Sequence, residues 1–457
     1  MSSEHFVALL RDARRARREG PDAIAQRQRT RLAGIVAHAR AHSPYFRELY
    51  KGLPDRVEDP MLLPVTDKKQ LMVRFDDWVT DRAVTIEDVH AFIGNPALIG
   101  DRFLDMYTVL TTSGTTGTPG IFVLDDRTMS VTSALAVCMG RAWLAGTDIL
   151  KVITRGGRMT MICATGGHYA EAVIGARLRK RRGDNAVQVL SANAPLPTIV
   201  ADLNRFRPAL LAPYASLGAL LAGEQAAGRL RISPALVVLS AEGLPAGGYD
   251  RIAKAFNAKV QYSYAATECT FLSANCEYGW LHVNSDWVVL EPVGVDYRPT
   301  PPGTLSHTVL ISNLANRVQP ILRYDLGDRI LQRPDPCPCG NRLPAIRVEG
   351  RTADILTFST GHGEQVSIPA LMFEVVDAMG VELFQILQTM PVSLRVRLRP
   401  AAGADPDRVW QAVHSEITRV LAQHGLDHVT VERAEEPPAQ SSGGKYRAII
   451  PLASTST

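Results

Sequence analysis

The sequence predicts an α/β protein in which a large N-terminal domain of mixed sheets and helices, residues 1–350, precedes a small α+β domain, residues 351–457. Three observations lead to this expectation. The chain has 457 residues, about three times the usual ~150 residues of a domain, so it can form more than one hydrophobic core. From Met106 onward, short apolar runs alternate with amphipathic helices. The pattern changes again after Glu349-Gly350-Arg351, where we place the domain boundary.

The first hundred residues are predicted to be mainly helical. Ala, Arg and Leu recur at helical spacing from Ile24 to Leu49, and Ser43-Pro44 interrupts the pattern. The run from Leu63 to Asp67 reads as a turn whose Thr66 or Asp67 caps the next helix.

The middle of the chain is predicted to alternate strands with helices and then to become richer in strands. Predicted strands are Tyr107–Leu110, Ile121–Leu124, Ala235–Leu239 and Lys259–Tyr264, predicted helices are Ser216–Gly228 and Tyr249–Phe256, and the strand-rich section is Val288–Leu331. For the small domain we predict a strand Val392–Leu398, a helix Pro406–His424 and a strand Val429–Arg433.

Composition and charge exclude several classes of protein. With 46% hydrophobic and 21% charged residues, the chain is neither collagen-like nor wholly disordered. Fifty Lys and Arg against 46 Asp and Glu leave a net charge of +4, too weak for a nucleic-acid partner. The basic cluster Arg11, Arg14, Arg15, Arg17 and Arg18 favours a solvated helix face over a binding patch.

Targeting signals and cysteine usage indicate the compartment. The sequence has no signal-peptide pattern and no apolar stretch of ~18 residues, so we expect no membrane association. Six cysteines in so long a chain do not predict a disulfide framework. We therefore expect a cytoplasmic protein.

The segment Leu110–Gly120 has the composition of a phosphate-binding loop. It reads LTTSGTTGTPG and offers hydroxyl groups and unobstructed backbone N–H groups. It lacks the lysine of the Walker loop, and composition alone leaves a surface turn equally open.

Five motifs in order resemble those of the adenylate-forming superfamily of acyl-CoA synthetases, adenylation domains and luciferases. They are TSGTTGTP at Thr112–Pro119, YAATE at Tyr264–Glu268, RYDLGD at Arg323–Asp328, Gly350-Arg351 and GGKYR at Gly443–Arg447. The phenylacetate-CoA ligase branch is the closest match, through SPYFR at Ser43–Arg47, the Leu63–Thr66 segment, LNRFRP at Leu203–Pro208 and Cys337-x-Cys339-Gly340.

The resemblance implies a large adenylate-forming domain, a small mobile C-terminal domain and a set of ATP-binding residues. Ser113, Thr115 and Thr116, with Gly114 and Gly117, would bind the β- and γ-phosphates of ATP. Thr267 and Glu268 would serve the α-phosphate and a Mg²⁺ ion. A surface salt bridge is the less favoured interpretation of Glu268.

The remaining nucleotide contacts are assigned in the same way. Asp328 would accept hydrogen bonds from the ribose, Tyr264 would stack on adenine, and Glu242-Gly243 would line the purine edge. Lys445 would be the catalytic lysine at the α-phosphate, and Arg351 would orient the nucleotide or the domain boundary. Tyr264 could alternatively pack in a strand, and Lys445 could be a solvated surface residue.

The acyl pocket is expected where this superfamily builds it. Gly166–Tyr169 and Tyr214–Ser216 occupy those stretches, and we assign His168, Tyr169, Tyr214 and Ala215 to the pocket. Their aromatic rings favour a flat aryl or arylacetyl acid. His168 could equally be a core histidine.

Four residues match the ligand set of a structural zinc site. Cys276, His282, Cys337 and Cys339 supply three thiols and one imidazole, and clustered cysteines in a cytoplasmic protein more often bind metal than form disulfides. Cys269 is the alternative ligand, and four unrelated buried residues are the other interpretation. Some members of the resembled branch carry a comparable site.

Three positions depart from the superfamily pattern. Ala265 replaces a usual glycine, Gly120 stands where many relatives have lysine, and Ala353 stands where the hinge usually has an acidic residue. Ala353 weakens the inference that coenzyme A is the acceptor.

Three functions follow from the resemblance. The first is an ATP- and Mg²⁺-dependent aryl-acid:CoA ligase that acts on a small carboxylic acid through an acyl-adenylate. The second keeps adenylation but transfers the acyl group to an amine or an acyl carrier protein, or activates another small acid. The third is an inactive nucleotide-binding regulator. The branch also makes a homodimer plausible.

Overall fold

The computed structural model describes residues 3–112, 120–144, 146–244, 247–351, 356–360, 365–368, 373, 380–401, 403–440 and 446–452. Its helices are α1 Ser3–Glu19, α2 Pro21–His42, α3 Pro44–Leu49, α4 Lys68–Val73, α5 Phe75–Trp78, α6 Ile86–Ile93, α7 Asp126–Trp143, α8 Gly146–Thr154, α9 Ala170–Arg182, α10 Leu196–Phe206, α11 Ala215–Ala226, α12 Gly248–Phe256 and α13 Pro406–Gln423.

The strands are distributed over six sheets within the described residues. In the first 300 residues they are β1 Thr108–Thr111, β2 Ile121–Leu124, β3 Met159–Cys163, β4 Val187–Ser191, β5 Leu210–Pro213, β6 Leu236–Leu239, β7 Lys259–Tyr262, β8 Ser273–Asn275, β9 Leu281–Val283 and β10 Val288–Val293. After them come β11 Thr308–Asn313, β12 Tyr324–Asp325, β13 Asp328–Gln332, β14 Ala345–Arg351, β15 Leu356–Ser359, β16 Gln365–Ile368, β17 Val381–Met390, β18 Ser393–Pro400, β19 Thr430–Arg433 and β20 Ile449–Ile450.

The N-terminal helices begin and end where capping residues place them. Pro21 opens α2, and Ser43 ends it while its hydroxyl accepts the Phe46 N–H at 3.3 Å to cap α3. Asp67 caps α4 by accepting the Gln70 N–H at 2.8 Å. These helices bury large aromatic side chains in one core, Tyr45, Phe46, Tyr50, Phe75 and Trp78. The predicted helical N-terminal region, with its break at Ser43-Pro44, is confirmed.

The basic cluster belongs to α1, whose acidic residues are already paired. Asp12 forms an ion pair with Arg31, and Glu19 forms ion pairs with Arg15 and Arg27. Arg17 donates to Asn284 Oδ1 at 2.9 Å. Arg17 of the cluster therefore attaches α1 to the segment around Asn284.

A five-stranded parallel sheet with strand order β4-β3-β5-β6-β7 forms the centre of the α/β part. Its crossover helices are α9 to α12, as expected for a parallel sheet with helices packed on its faces. A second core lies between this sheet and its helices, with Leu203, Leu221, Val237 and Ile252 fully buried.

Two antiparallel sheets follow the parallel one. They have the orders β10-β11-β12 and β13-β14-β9-β8, and β13 pairs with β14 so that Asp328 lies opposite Arg351. The strand-rich section is confirmed. The predicted domain boundary falls at the end of β14, and the division into two domains remains a prediction.

A four-stranded sheet of order β19-β18-β17-β20 packs against α13 in the C-terminal part. Its predicted strands and helix are present. Its longest strand, β17, was not predicted, because its apolar pattern is interrupted by Gln385 and Gln388. Both glutamines are buried and donate to backbone carbonyls, Gln385 to Ala439 and Arg447 and Gln388 to Thr357.

Within the described residues, none of the helices combines the length and the apolar character that crossing a bilayer requires.

Candidate active site and metal centre

Two tyrosine–carboxylate pairs lie together at the ends of β7, β12 and β13. Tyr264, just beyond β7, donates its hydroxyl to Asp328 Oδ2 at 2.6 Å. Tyr324 of β12 donates to Glu268 Oε1 at 3.0 Å. Both carboxylates are buried, with 7% and 8% of their surface exposed. The fold thus brings the predicted adenine, ribose and magnesium residues to one site.

Glu268 is held in place from two directions. It follows Thr267 in a tight turn, since Ala266 and Cys269 exchange both backbone hydrogen bonds, at 3.1 and 3.0 Å. The Asn313 side chain donates to the Glu268 carbonyl at 3.1 Å. The burial of Glu268 favours the assigned role over a surface salt bridge.

Tyr324 is a site residue that sequence reasoning missed. Burial, followed by the charge of Glu268, raises the pKa of Tyr324 well above its usual value, so its hydroxyl remains a proton donor. It lies within the RYDLGD motif, but its role depends on a partner 56 residues away. Only the motif itself could have pointed to it.

The strands on either side of the phosphate loop form an antiparallel pair. β1 pairs with β2, and the loop neck is closed by Thr112, whose N–H donates to the Gly120 carbonyl at 2.9 Å. The Gly120 N–H in turn donates a hydrogen bond to Thr112 Oγ1 at 2.7 Å. The predicted loop ligands lie outside the described residues, namely Ser113, Gly114, Thr115, Thr116 and Gly117.

Packing accounts for the departure at Gly120. A Cβ there would lie 2.7 Å from the Phe122 ring, so a lysine side chain does not fit. The stem of Lys68, the first residue of α4, lies 3.4 Å from the same position. A lysine from another element thus reaches the loop neck, and nothing in the linear sequence indicated it.

The Glu242 carboxylate accepts hydrogen bonds from two backbone N–H groups. Oε2 accepts from Ser216 at 3.0 Å, and Oε1 accepts from Tyr446. At the neighbouring Gly243, a Cβ would meet no atom within 4 Å. The contact of Glu242 and Gly243 with a purine remains a prediction.

The other residues assigned to the nucleotide are only partly described. The Arg351 backbone pairs with Asp328, and nothing is described of its side chain. Lys445 and Ala353 lie outside the described residues.

His168 connects the predicted acyl pocket with the phosphate loop. Its carbonyl accepts the Thr111 N–H at 2.8 Å, and its ring lies 5.0 Å from the Phe92 ring. It is 2% exposed, and burial lowers its pKa, so the imidazole is neutral at pH 7. Its Nε2 is buried without a hydrogen-bond partner among the described residues.

The other assigned pocket residues pack in or against the core of the parallel sheet. Tyr214 is 1% exposed and accepts the Ala164 N–H at 2.9 Å, and Ala215 is fully buried. Tyr169 packs at the edge of the same core. Their place in the pocket remains a prediction, and this packing favours a structural role for Tyr214 and Ala215.

A second cluster gathers three thiols and one imidazole at the far end of the β13-β14-β9-β8 sheet. Their ligand atoms all lie within 4.8 Å of one another, and the residues are Cys276, His282, Cys337 and Cys339. The interpretation as four unrelated residues is therefore wrong. Cys269, the alternative ligand, lies in the N-terminal core.

The donor geometry fits a tetrahedral zinc ion. The Cys276 and Cys337 sulphurs are 3.7 Å apart, close to the ~3.8 Å that two Zn–S bonds of ~2.3 Å produce. Cys339 Sγ lies 3.2 Å from His282 Nε2. His282 Nδ1 lies 2.9 Å from the Leu343 carbonyl, so it carries the proton and leaves Nε2 free for a metal. Burial lowers the His282 pKa, which favours the neutral, ligating form.

Comparison with known proteins identifies the fold. The structure of a 2-hydroxyisobutyryl-CoA ligase in the postadenylation state, in complex with R3-HIB-AMP, matches with a TM-score of 0.63 and 21% identity, over 94% of this chain and 89% of that one. The same ligase in the thioesterification state with 2-HIB-AMP and CoA matches with 0.54 and 20% identity over the same shares. A benzoate CoA ligase from Burkholderia xenovorans LB400 matches with 0.50 and 16% identity, over 74% of this chain and 67% of that one.

No family model matches the chain, and no curated protein does either. The structural matches nevertheless cover nearly all of it. The chain therefore has the fold of the adenylate-forming acyl-CoA ligases.

Proposed function

We propose that this protein is an AMP-forming acid–thiol ligase, which activates a small carboxylic acid with ATP and transfers the acyl group to coenzyme A. The observation that carries the proposal is the pairing of Tyr264 with Asp328 and of Tyr324 with Glu268 in a chain with the ligase fold. Burying two carboxylates costs free energy, and a nucleotide with its cation gives a reason to retain them.

In this proposal the described residues arrange the nucleotide for in-line attack. Asp328 accepts hydrogen bonds from the ribose hydroxyls, and Tyr264 keeps its carboxylate oriented. Lys68 adds positive charge at the neck of the loop that holds the β- and γ-phosphates. Each group acts by positioning and by neutralising charge, which are the main demands of this chemistry.

Mg²⁺ would be held by Glu268 and the phosphate oxygens. An oxygen-only donor set suits this hard cation, and it would neutralise negative charge on the phosphates as the substrate carboxylate approaches. Tyr324 donates to Glu268 Oε1 and so restrains the carboxylate that would bind the cation. Thr267 shares the turn with Glu268 and is assigned to the α-phosphate.

The reaction then has two balanced steps. In the first, a substrate carboxylate oxygen attacks the α-phosphorus, the bond to the bridging β-phosphate oxygen breaks, and pyrophosphate leaves. In the second, the coenzyme A thiol attacks the acyl carbon, loses its proton, and AMP leaves. Lys445 is assigned to the charge that develops on the α-phosphate in the first step.

An aryl or arylacetyl acid is our proposed substrate class, because the segments assigned to the acyl pocket are aromatic. His168 is the strongest of the assigned pocket residues. Its neutral, buried Nε2 faces no partner among the described residues, and it lies next to the phosphate loop.

The four-residue cluster is proposed to hold a structural zinc ion. A closed site of three thiolates and one imidazole carries a net charge of −1. The Arg333 and Arg347 guanidinium groups lie 5.0 and 4.3 Å from the Trp280 ring beside the cluster and supply compensating charge. The ion would fix the loop between β13 and β14 to β8 and β9.

A second function differs only in the acceptor, which would be an amine or a carrier-protein thiol. Ala353 at the predicted hinge is the observation that favours it.

Product analysis separates these functions. The protein is incubated with ATP, Mg²⁺, coenzyme A and a panel of aryl, arylacetyl and short-chain acids, and the products are identified by mass spectrometry. Acid-dependent AMP and acyl-CoA are expected. Formation of ADP and phosphate would contradict the proposal, and AMP formation that is independent of coenzyme A would favour the second acceptor.

A further inference from the structure

Glu242 is bonded to two elements that are far apart in the chain. It follows β6, and the preceding Ala241 has a φ of +69°, which turns the chain sharply. One carboxylate oxygen accepts from Ser216 at the start of α11, and the other accepts from Tyr446 near the C-terminus.

The bond to α11 holds the carboxylate ready for its second partner. The first N–H groups of a helix have no partner within the helix, and the N-cap residue Tyr214 supplies no side-chain cap. Glu242 takes this role from outside the helix, and the helix N-terminus stabilises its negative charge. The bond to Ser216 therefore orients the carboxylate independently of its bond to Tyr446.

The segment that contains Tyr446 is rigidly attached to the C-terminal sheet. The carbonyl of the next residue, Arg447, accepts from Gln385 at 2.9 Å, and β20 pairs with β17. The Tyr446 side chain is largely buried, and burial raises its pKa. The hydrogen bond from the Tyr446 N–H thus links Glu242 to the C-terminal sheet.

The same sheet contacts α11 at a second place. Leu383 of β17 packs against the core that contains α11, and a Cβ at Gly223 would lie 3.1 Å from Glu382 Oε1. Two independent contacts therefore place the C-terminal sheet against α11.

We propose that Glu242 is a positioning residue that holds the Tyr446 N–H at the start of α11 during adenylation, an inference that rests on the proposed function. The N–H that Glu242 accepts belongs to the peptide bond following Lys445, and consecutive Cα atoms are only ~3.8 Å apart. Fixing this peptide restricts the position of the catalytic lysine. The second half-reaction requires the small domain to rotate, and the bond must then break.

This role predicts a different pattern of kinetics from the purine contact expected from sequence. A residue that positions Lys445 changes the rate of adenylation and leaves nucleotide affinity intact. A residue that contacts the purine changes the KM for ATP and also the affinity for the acyl-adenylate in the second half-reaction.

The test compares Glu242→Ala and Glu242→Gln with Glu48→Gln, a control on α3 whose carboxylate pairs with Arg74 at the surface. Misplacing a catalytic group by ~1 Å can cost ~100-fold in rate. We expect Glu242→Ala to slow single-turnover acyl-adenylate formation by at least ~10-fold with an unchanged KM for ATP. Glu242→Gln, which keeps one acceptor oxygen, should lie between it and the wild type.

Thioester formation from supplied acyl-adenylate and coenzyme A should be unchanged in all three variants. A raised KM for ATP with a normal maximal rate would overturn the proposal in favour of the purine contact. Equal losses in both half-reactions would overturn it in favour of general damage.

Trypsin sensitivity gives a readout that needs no activity. Loss of the bond should speed tryptic cleavage after Lys445 and Arg447 in Glu242→Ala relative to Glu48→Gln, and equal cleavage would overturn the proposal. If the wild type forms no adenylate with any acid, the proposed function fails, and cleavage still decides the role of Glu242.

Discussion

At the scale of residues, the site is defined by hydrogen bonds between groups that are distant in sequence. Motifs placed Tyr264, Glu268 and Asp328 in the site before the fold was known, because each lies in a recognisable segment. They did not indicate that Tyr264 orients Asp328 or that Tyr324 orients Glu268. Such pairings depend on how β7, β12 and β13 end beside one another, which local sequence does not encode.

Removal of the Tyr264 hydroxyl tests the first of these pairs. Tyr264→Phe leaves the buried Asp328 without this donor, and we expect a loss of ~1–3 kcal/mol in the free energy of unfolding and a raised KM for ATP. Tyr262→Phe is the matched control, because it removes a hydroxyl that donates to the Gly279 carbonyl at 3.1 Å. Denaturant unfolding and ATP kinetics check both variants, and an equal effect on KM from the two would contradict the role of Tyr264.

The position of Lys68 at the loop neck, which the sequence did not indicate, leads to a prediction about ATP binding. Lys68→Met keeps the stem at the loop neck and removes the charge, so we expect the KM for ATP to rise by ~10-fold or more, as for a lost charged hydrogen bond. Lys69→Met, at the exposed neighbouring position, should behave like the wild type. Identical kinetics for the two variants would show that Lys68 does not serve the phosphates.

At the scale of elements, hydrophobic periodicity and capping residues predicted the helices and strands that pack against nearby apolar partners. The break at Ser43-Pro44, the cap at Asp67 and the crossover helices α11 and α12 follow from local chemistry. The strand β17 was not predicted, because its buried glutamines interrupt the apolar pattern and form hydrogen bonds with groups that are distant in sequence. The metal cluster is an intermediate case. The residue types predicted it, and the fold brings the three cysteines and the histidine together.

Metal removal tests what the cluster contributes. We expect about one zinc per chain, and chelation or Cys339→Ser should lower the melting temperature, because the loop between β13 and β14 loses its attachment to β8 and β9. Cys138→Ser, which changes a cysteine of α7 outside the cluster, should retain the metal. Elemental analysis with thermal unfolding checks this, and a wild-type protein without zinc after expression in zinc-supplemented medium would contradict it.

At the scale of the whole molecule, the three largest hydrophobic cores among the described residues and a shared contact on α11 organise the fold. The order of helical, α/β and strand-rich regions was predictable because each has its own hydrophobic period. The contact of the C-terminal sheet with α11 was not, since it is made by single residues such as Leu383 and Glu382. Ala353 and Lys445, which are assigned to the hinge and to catalysis, lie outside the described residues.

Glu382 makes this contact sensitive to pH. Burial, with the charge of Glu224, raises its pKa above 4.5, while Arg399, Arg229 and Arg251 oppose the shift. A carboxyl whose pKa is raised on folding binds its proton more tightly in the native state, so its contribution to stability is lost as pH rises through that pKa. Glu382→Gln should therefore be more stable than the wild type at pH 7.5, with a smaller difference near pH 4. Thermal unfolding at the two values checks this, and a variant less stable at pH 7.5 would contradict it.

The most direct test of adenylation is the exchange of labelled pyrophosphate into ATP, with Mg²⁺ and without coenzyme A. We expect exchange that depends on one class of carboxylic acid and falls by ~100-fold or more in Glu268→Gln, in line with the loss of a preorganised electrostatic contact. Exchange in the wild type that is the same with and without every acid tested, or that is undiminished in Glu268→Gln, would contradict the account.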